Sequence, residues 1–431
     1  MRNRWRLLLP SVLLCLSMTP SFGAAQTERP RARARDLGIT FGGQSGPLDA
    51  ITDVPGVEVG HTTLISGEGR IVKGKGPVRT GVTAVLPRGK DGVSEPVFAA
   101  TYALNGNGEM TGTHWIHESG ELNGPVMITN TNDIGAVREA VISWAVDKNL
   151  AWDLGLPVVA ETWDGMLNDI YGFHLKPHHA HQALESARPG PMVEGSVGGG
   201  TGMVCHGFKG GIGTASRKLP ESAGGYTLGV LVQCNYGSRR LFSVEGVPVG
   251  EELPGNKPCY LGAQKPGSPM LHGLSSCDTK APPPAVPNPF EGAGSIIVVV
   301  ATDAPLLPHQ LGRLARRVPL GISKMGGLGE NYSGDIFLAF STQHLNPPTE
   351  AHLANVMVLG NDRLNPLFEA TVQATQEAIL NAMLASDTMT GADNVRVYGL
   401  PHDGLVKALR KHGRLTPAPT PKQTPARKSG R

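Results

Sequence analysis

Charge is scarce in this sequence. Asp, Glu, Lys and Arg make up 17% of its 431 residues, and 39 basic against 36 acidic side chains leave a formal charge of +3. The basic excess sits at the two ends, so the chain is not an electrostatically driven nucleic-acid binder. Aromatic residues are few, at 5%. The apolar stretch from Leu7 to Met18 is broken by Pro10 and falls short of the roughly 20 residues that cross a bilayer as a helix. Five cysteines show no CxxC and no Cys/His spacing of the kind that holds zinc. What the chain does have is 57 glycines and 35 prolines dispersed among apolar runs. Without a collagen-like period, that composition reads as a globular protein of many short strands and tight turns, and it excludes a disordered chain or a coiled coil.

The N-terminus reads as an address. Met1 to Arg6 carries three arginines, an apolar stretch follows, and Gly23, Ala24 and Ala25 suit a signal peptidase. Cys15 follows two leucines rather than a small residue, which argues against lipid attachment. Residues 1–25 are therefore expected to be removed on export to the periplasm or beyond, leaving four cysteines in an oxidising compartment. Cys205 and Cys234 lie in apolar, glycine-flanked segments and are expected to be buried free thiols. Cys259 and Cys277 bracket a Pro/Gly/Ser-rich stretch, and the sequence leaves open whether they pair.

Continuous apolar runs predict buried strands at Thr80–Leu86, Pro125–Thr129, Leu156–Ala160, Tyr226–Gln233 and Ser295–Ala301, and alternation predicts another at Asp335–Ser341. A helix is expected after Asp133 as N-cap, because Ile134, Val137, Val141 and Trp144 recur at three- and four-residue intervals. Leu307, Leu311, Leu314 and Val318 suggest one short helix, and Phe368, Val372, Thr375, Ile379 and Ala382 a last one over Leu364–Leu384. Residues 251–291 read as a linker-like surface insert and 414–431 as a disordered Pro/Thr/basic tail. Strands and helices interleave without a repeat, which favours a layered α+β domain over a doubly wound sheet.

Several familiar chemistries are missing. The glycine-rich stretch Gly198–Gly213 has no Gly-Lys-Ser/Thr and no GxGxxG register, so it is not a phosphate loop; its glycines suit close backbone packing. His174, His178, His179 and His181 cluster, but no HExxH and no carboxylate at ligand spacing accompany them, and Pro177 interrupts the segment, so no metal is assigned. There is no GxSxG elbow. One serine arrangement remains. In GAGSIIVVVATDAPLLPHQL, Gly294 precedes Ser295 at the start of a buried strand. Such a serine ordinarily just ends a loop. The alternative is a self-cleaving junction: glycine leaves its carbonyl carbon open to Ser295 Oγ, the peptide becomes an ester, and water releases a new N-terminus. An α-amino group, with a pKa of about 8, can then act as general base beside its own hydroxyl.

The sequence resembles the family of the D-aminopeptidase/esterase and the β-peptidyl aminopeptidases, serine N-terminal-nucleophile hydrolases made as one precursor. The matching stretches are ITDVPGVEVGH (51–61), GVTAVLPRG (81–89), NGPVMITNTNDIG (123–135), PVVAETWDGMLND (157–169), GTGMVCHGFKGGIGTASR (200–217), LVQCNYG (231–237), GSIIVVVATDAPL (294–306) and NYSGDIFLAFST (331–342). The resemblance implies a four-layer αββα sandwich and a precursor cut between Gly294 and Ser295. That makes 26–294 an α subunit and 295–413 a β subunit of one catalytic domain, assembled as a homo-oligomer of heterodimers. It makes Ser295 the nucleophile, with Ser333 and Asp335 orienting it, Asn235 donating to the oxyanion, and Glu161 holding the free amino group of a short peptide, amide or ester. Trp163 departs from the family, which commonly has tyrosine there as a second oxyanion donor. No cofactor is called for. An acyltransferase of the ornithine acetyltransferase type would use threonine in place of Ser295, and a periplasmic binding protein would have no reason to combine Gly294, Ser295, Ser333 and Asp335.

Overall fold

Burial on both faces of the long strands decides the layering. A computed structural model describes residues 31–150, 156–263, 265–267, 271, 273–278, 294–343 and 355–415. The expected signal segment, residues 279–291 of the insert and 416–431 of the tail lie outside the described residues. Nine longer strands run in chain order: β1 (Glu58–Ser66), β2 (Val78–Leu86), β3 (Val97–Gly106), β4 (Val126–Asn130), β5 (Val158–Thr162), β6 (Gly211–Lys218), β7 (Thr227–Asn235), β8 (Gly294–Thr302) and β9 (Ser333–Ser341). One sheet has the order β1-β2-β4-β5. The other begins with the short edge strand Glu121–Leu122 and continues β3-β9-β8-β7-β6. Strands β8 and β9 are parallel to each other and antiparallel to their outer neighbours β7 and β3.

The two sheets stack through Val59, Val85, Val126, Ile128, Val158 and Ala160 on one side and Leu231, Ile297, Val299, Ile336 and Leu338 on the other. The residues alternating with these face outward onto helices. Val82, Ala84, Met127 and Val159 of the first sheet pack against α1 (Ile134–Asp147) and α2 (Pro177–Ser186). Val230, Val232, Ile296, Val298, Val300 and Phe337 of the second pack against α3 (Pro308–Ala315), α4 (Val318–Lys324), α5 (Asn365–Leu384) and α6 (His402–Lys411). The result is an α+β, four-layer αββα sandwich. Each fully buried aliphatic side chain contributes about 1.5–3 kcal/mol, and two-sided burial explains why SIIVVVA and its neighbours are apolar throughout rather than alternating.

Five sequence expectations need correction. Cys205 and Cys234 are not free thiols but a disulfide, with Cα atoms 5.7 Å apart. The small hairpin Val204–Cys205/Phe208–Lys209 lies against β7, an encounter invisible in local sequence. The face drawn through Leu307–Val318 belongs to two helices, because Val318 opens α4 with Pro319 in its first turn, where a missing N–H costs nothing. Pro177 likewise does not interrupt a helix; it starts α2. Part of the insert is structured: Cys259–Tyr260 pairs with Ser275–Ser276 and with Val395–Val397, and Tyr260 and Leu271 pack on Leu167. Within it Cys259 and Cys277 form a second disulfide, Cα atoms 5.1 Å apart. Asp133 does precede α1, but its carboxylate accepts from Asn130 Nδ2 instead of capping the helix.

Candidate active site

Register brings the candidate residues together. Ser295, the second residue of β8, lies opposite Asn235 at the end of β7 and beside Gly334 at the start of β9. Ser295 is 3% exposed, and its hydroxyl accepts a hydrogen bond from Gly334 N at 3.2 Å. Gly294 has no room for a side chain: a Cβ there would fall 1.8 Å from Asn235 O. Any other residue before Ser295 would therefore push β7 off β8, and glycine also leaves the carbonyl carbon unshielded.

On β9, Ser333 and Asp335 are both fully buried, and Ser333 Oγ donates to Asp335 Oδ1 at 2.6 Å. Burial pushes the Asp335 carboxyl up to about 6; the Ser333 bond pulls it down and the nearby Glu330 pushes it up. Asn105 fixes the strand end, accepting from Asp335 N at 2.7 Å and donating to Glu330 O at 3.0 Å.

Glu161 is the penultimate residue of β5, 2% exposed. Thr131 Oγ1 donates to its Oε2, and Glu109 N to its Oε1 at 3.1 Å. Burial raises its carboxyl above the ordinary glutamate range against the pull of those two donors. Gly108 locates it relative to the nucleophile. A Cβ on that residue would sit 3.0 Å from Gly334 Cα and 3.1 Å from Glu161 Oε1, so both groups border Gly108 and the gap there is too narrow for a side chain.

The Asn235 amide is held at both ends. Val204 N donates to Oδ1 at 2.7 Å, and Nδ2 donates to the carbonyl of Trp163 at 2.9 Å, leaving its second hydrogen without a partner among the described residues. Trp163 thus touches Asn235 through its backbone, while its indole lies over Gly165. The structure accordingly gathers Ser295, Gly334, Asn235, Ser333 and Asp335 at one sheet end, with Glu161 across the gap and Trp163 joined through its carbonyl. A hydroxyl, a free amide hydrogen, a hydroxyl–carboxylate pair and a lone buried carboxylate are what acyl transfer from a cationic substrate requires.

A family model described as peptidase family S58 matches residues 49–397. The chain belongs to that family. Its relatives include a β-peptidyl aminopeptidase BapA of Sphingosinicella microcystinivorans, 52% identical over 92% of this chain and 96% of its own. A Burkholderia sp. β-aminopeptidase structure superposes with a TM-score of 0.75 at 44% identity, over 89% of this chain and 99% of that one. The L-aminopeptidase D-Ala-esterase/amidase of Ochrobactrum anthropi, described as a prototype of the serine aminopeptidases and a variant of the Ntn hydrolase fold, also gives 0.75, at 42% identity over 90% and 100%. The S58 chain is thus an aminopeptidase-type hydrolase with an N-terminal-nucleophile fold.

Other contributors escaped the sequence reading. Thr131 lies in the quoted NTND stretch, but nothing local signals that its hydroxyl meets Glu161. The Gly334 and Glu109 amides leave no signal at all, since any residue carries one. Asn105 precedes a glycine and reads only as a turn. Of the His174–His181 cluster only His178 and His179 lie together, ring centroids 3.9 Å apart, while His174 contacts Asp169 and His181 contacts Ser143 and Ala140.

Proposed function

We propose that this S58 hydrolase matures by cutting itself before Ser295 and then removes N-terminal residues from short peptides, amides and esters. In maturation Ser295 Oγ adds to the Gly294 carbonyl, the C–N bond breaks, and the ester formed is hydrolysed by water. The products are an α chain ending in Gly294 and a β chain with a free Ser295 amine. In turnover that amine takes the hydroxyl proton as Oγ attacks the substrate carbonyl. The Asn235 amide stabilises the developing oxyanion, a contribution of about 3–4 kcal/mol for such a donor. The proton passes to the leaving amine, and water hydrolyses the seryl ester. Ser333, bonded to Asp335, steadies the Ser295 amine. Glu161 pairs with the substrate ammonium, which explains the requirement for an unblocked amino end: a cation entering a buried site needs a partner.

The observation that carries this reading is Ser295 paired in register with Asn235, its Oγ accepting from Gly334 N, and preceded by a glycine that tolerates no side chain. The names of the relatives favour a substrate with an N-terminal β-residue. Export directed by residues 1–25 and assembly as a homo-oligomer of heterodimers complete the proposal. Intact-mass analysis and N-terminal sequencing of active protein are expected to reveal a second chain beginning SIIVV. Ser295→Ala is expected to stay one chain and to lose at least about 10³-fold in kcat on β-, L- and D-alanine p-nitroanilides. A single uncut chain with full activity would remove the mechanism.

A further inference from the structure

Lys209 is fully buried in the second strand of the small hairpin that precedes β6. A buried ammonium is costly unless its donors are used, and here they gather carbonyls: Nζ donates to Gly210 O at 2.7 Å, Met203 O at 2.9 Å and Gly200 O at 3.4 Å. The Lys209 amide is itself tied down, donating to Tyr398 O at 2.7 Å. One cation thus closes the chain from Gly200 to Gly210 upon itself. The residue after Met203 is Val204, whose N–H holds Asn235 Oδ1. The same turn is fastened to β5, since Thr162 Oγ1 donates to Met203 Sδ at 2.8 Å and accepts from Gln233 Nε2 at 2.8 Å.

The two ends of an asparagine amide are alike in shape and opposite in hydrogen bonding. Turned over, Asn235 would present a carbonyl oxygen to a developing oxyanion and repel it. We propose that Lys209 is a positioning residue for this reaction: by fixing Met203 and Val204 it selects the amide orientation that directs Nδ2 to the oxyanion. The inference rests on the reading of Asn235 as oxyanion donor.

The test is a cycle of Lys209→Met, Asn235→Ala and the double variant, with rates normalised to chain beginning at Ser295. Where maturation is too slow to yield mature enzyme, the self-cleavage rate is the readout. Asn235→Ala should lower kcat by roughly 10²- to 10³-fold, and Lys209→Met by roughly 10- to 100-fold with KM within about threefold. In the Asn235→Ala background, Lys209→Met should add less than about threefold, because the group it positions is gone. Lys209→Gln, which keeps donors for the same carbonyls, should recover part of kcat; should the Met variant fail to fold, the Gln variant goes through the same cycle. An unchanged kcat in the Lys209 variants, a rise in KM alone, or full additivity with Asn235→Ala overturns the role of Lys209 and leaves Asn235 standing. Wild-type kcat in Asn235→Ala overturns the oxyanion assignment, and the role of Lys209 with it.

Discussion

Two carboxyls of the site are held above their usual range by burial, Asp335 at about 6 and Glu161 in the same direction. Both act ionised in the proposed chemistry, Asp335 to accept from Ser333 and Glu161 to pair with an ammonium. Activity should therefore fall as pH drops through about 6. The negative charge of Glu330 opposes ionisation of Asp335, so Glu330→Gln should lower the Asp335 pKa and move the acid limb of kcat/KM to lower pH. A limb that stays in place or moves upward would assign it to another group. Legibility at this scale was uneven for a physical reason. Side chains doing unusual chemistry, such as Ser295 after Gly294, stand out in a sequence. Backbone donors such as Gly334 N do not, and the Thr131–Glu161 bond depends on two strands lying side by side in register.

Among elements, strands were easiest to read where helices or the second sheet cover both faces, because continuous apolar runs such as Val298–Val300 have no other use in a chain this polar at its turns. Helix boundaries were harder. Pro177 reads from sequence as an interruption, whereas it opens its helix, and Pro308 and Pro319 likewise lie in first turns. Harder still was the Cys205–Cys234 bridge, whose partners are 29 residues apart and meet only because a hairpin folds back on β7. Replacing both cysteines by alanine is expected to lower stability by about 2–4 kcal/mol in chemical unfolding. No loss beyond 0.5 kcal/mol would mean that the bridge is not formed in the working protein. Because Val204 adjoins Cys205, the same variant reports whether this clasp helps to hold the Asn235 amide.

At the scale of the molecule, a buried ionic network ties the N-terminal segment to the helical layer. Arg217 Nη2 on β6 meets Glu377 Oε2 on α5 at 2.6 Å with both side chains essentially inaccessible, and Arg35 reaches the same carboxylate at 2.7 Å. Arg33 pairs with Glu194 at 2.7 Å. Removing Glu377 leaves Arg217 and Arg35 with only the more distant Asp49, at 3.7 and 3.4 Å, so Glu377→Ala should cost about 3–5 kcal/mol in urea unfolding. A cost below about 1 kcal/mol would show that Asp49 or water takes over the pairing of the two arginines. None of this was visible in a sequence whose overall charge is close to balanced, because pairing is a property of the fold and not of composition. The place of the proposed cut has its own consequence. Strands β8 and β9 come after it in the chain, yet β7 and β3, which come before it, border them on either side. Severing that peptide would not yield two separable halves: each product lacks the neighbours that complete its sheet. The pair should travel together through any native separation, come apart only when the whole sandwich melts, and exchange no partners between molecules.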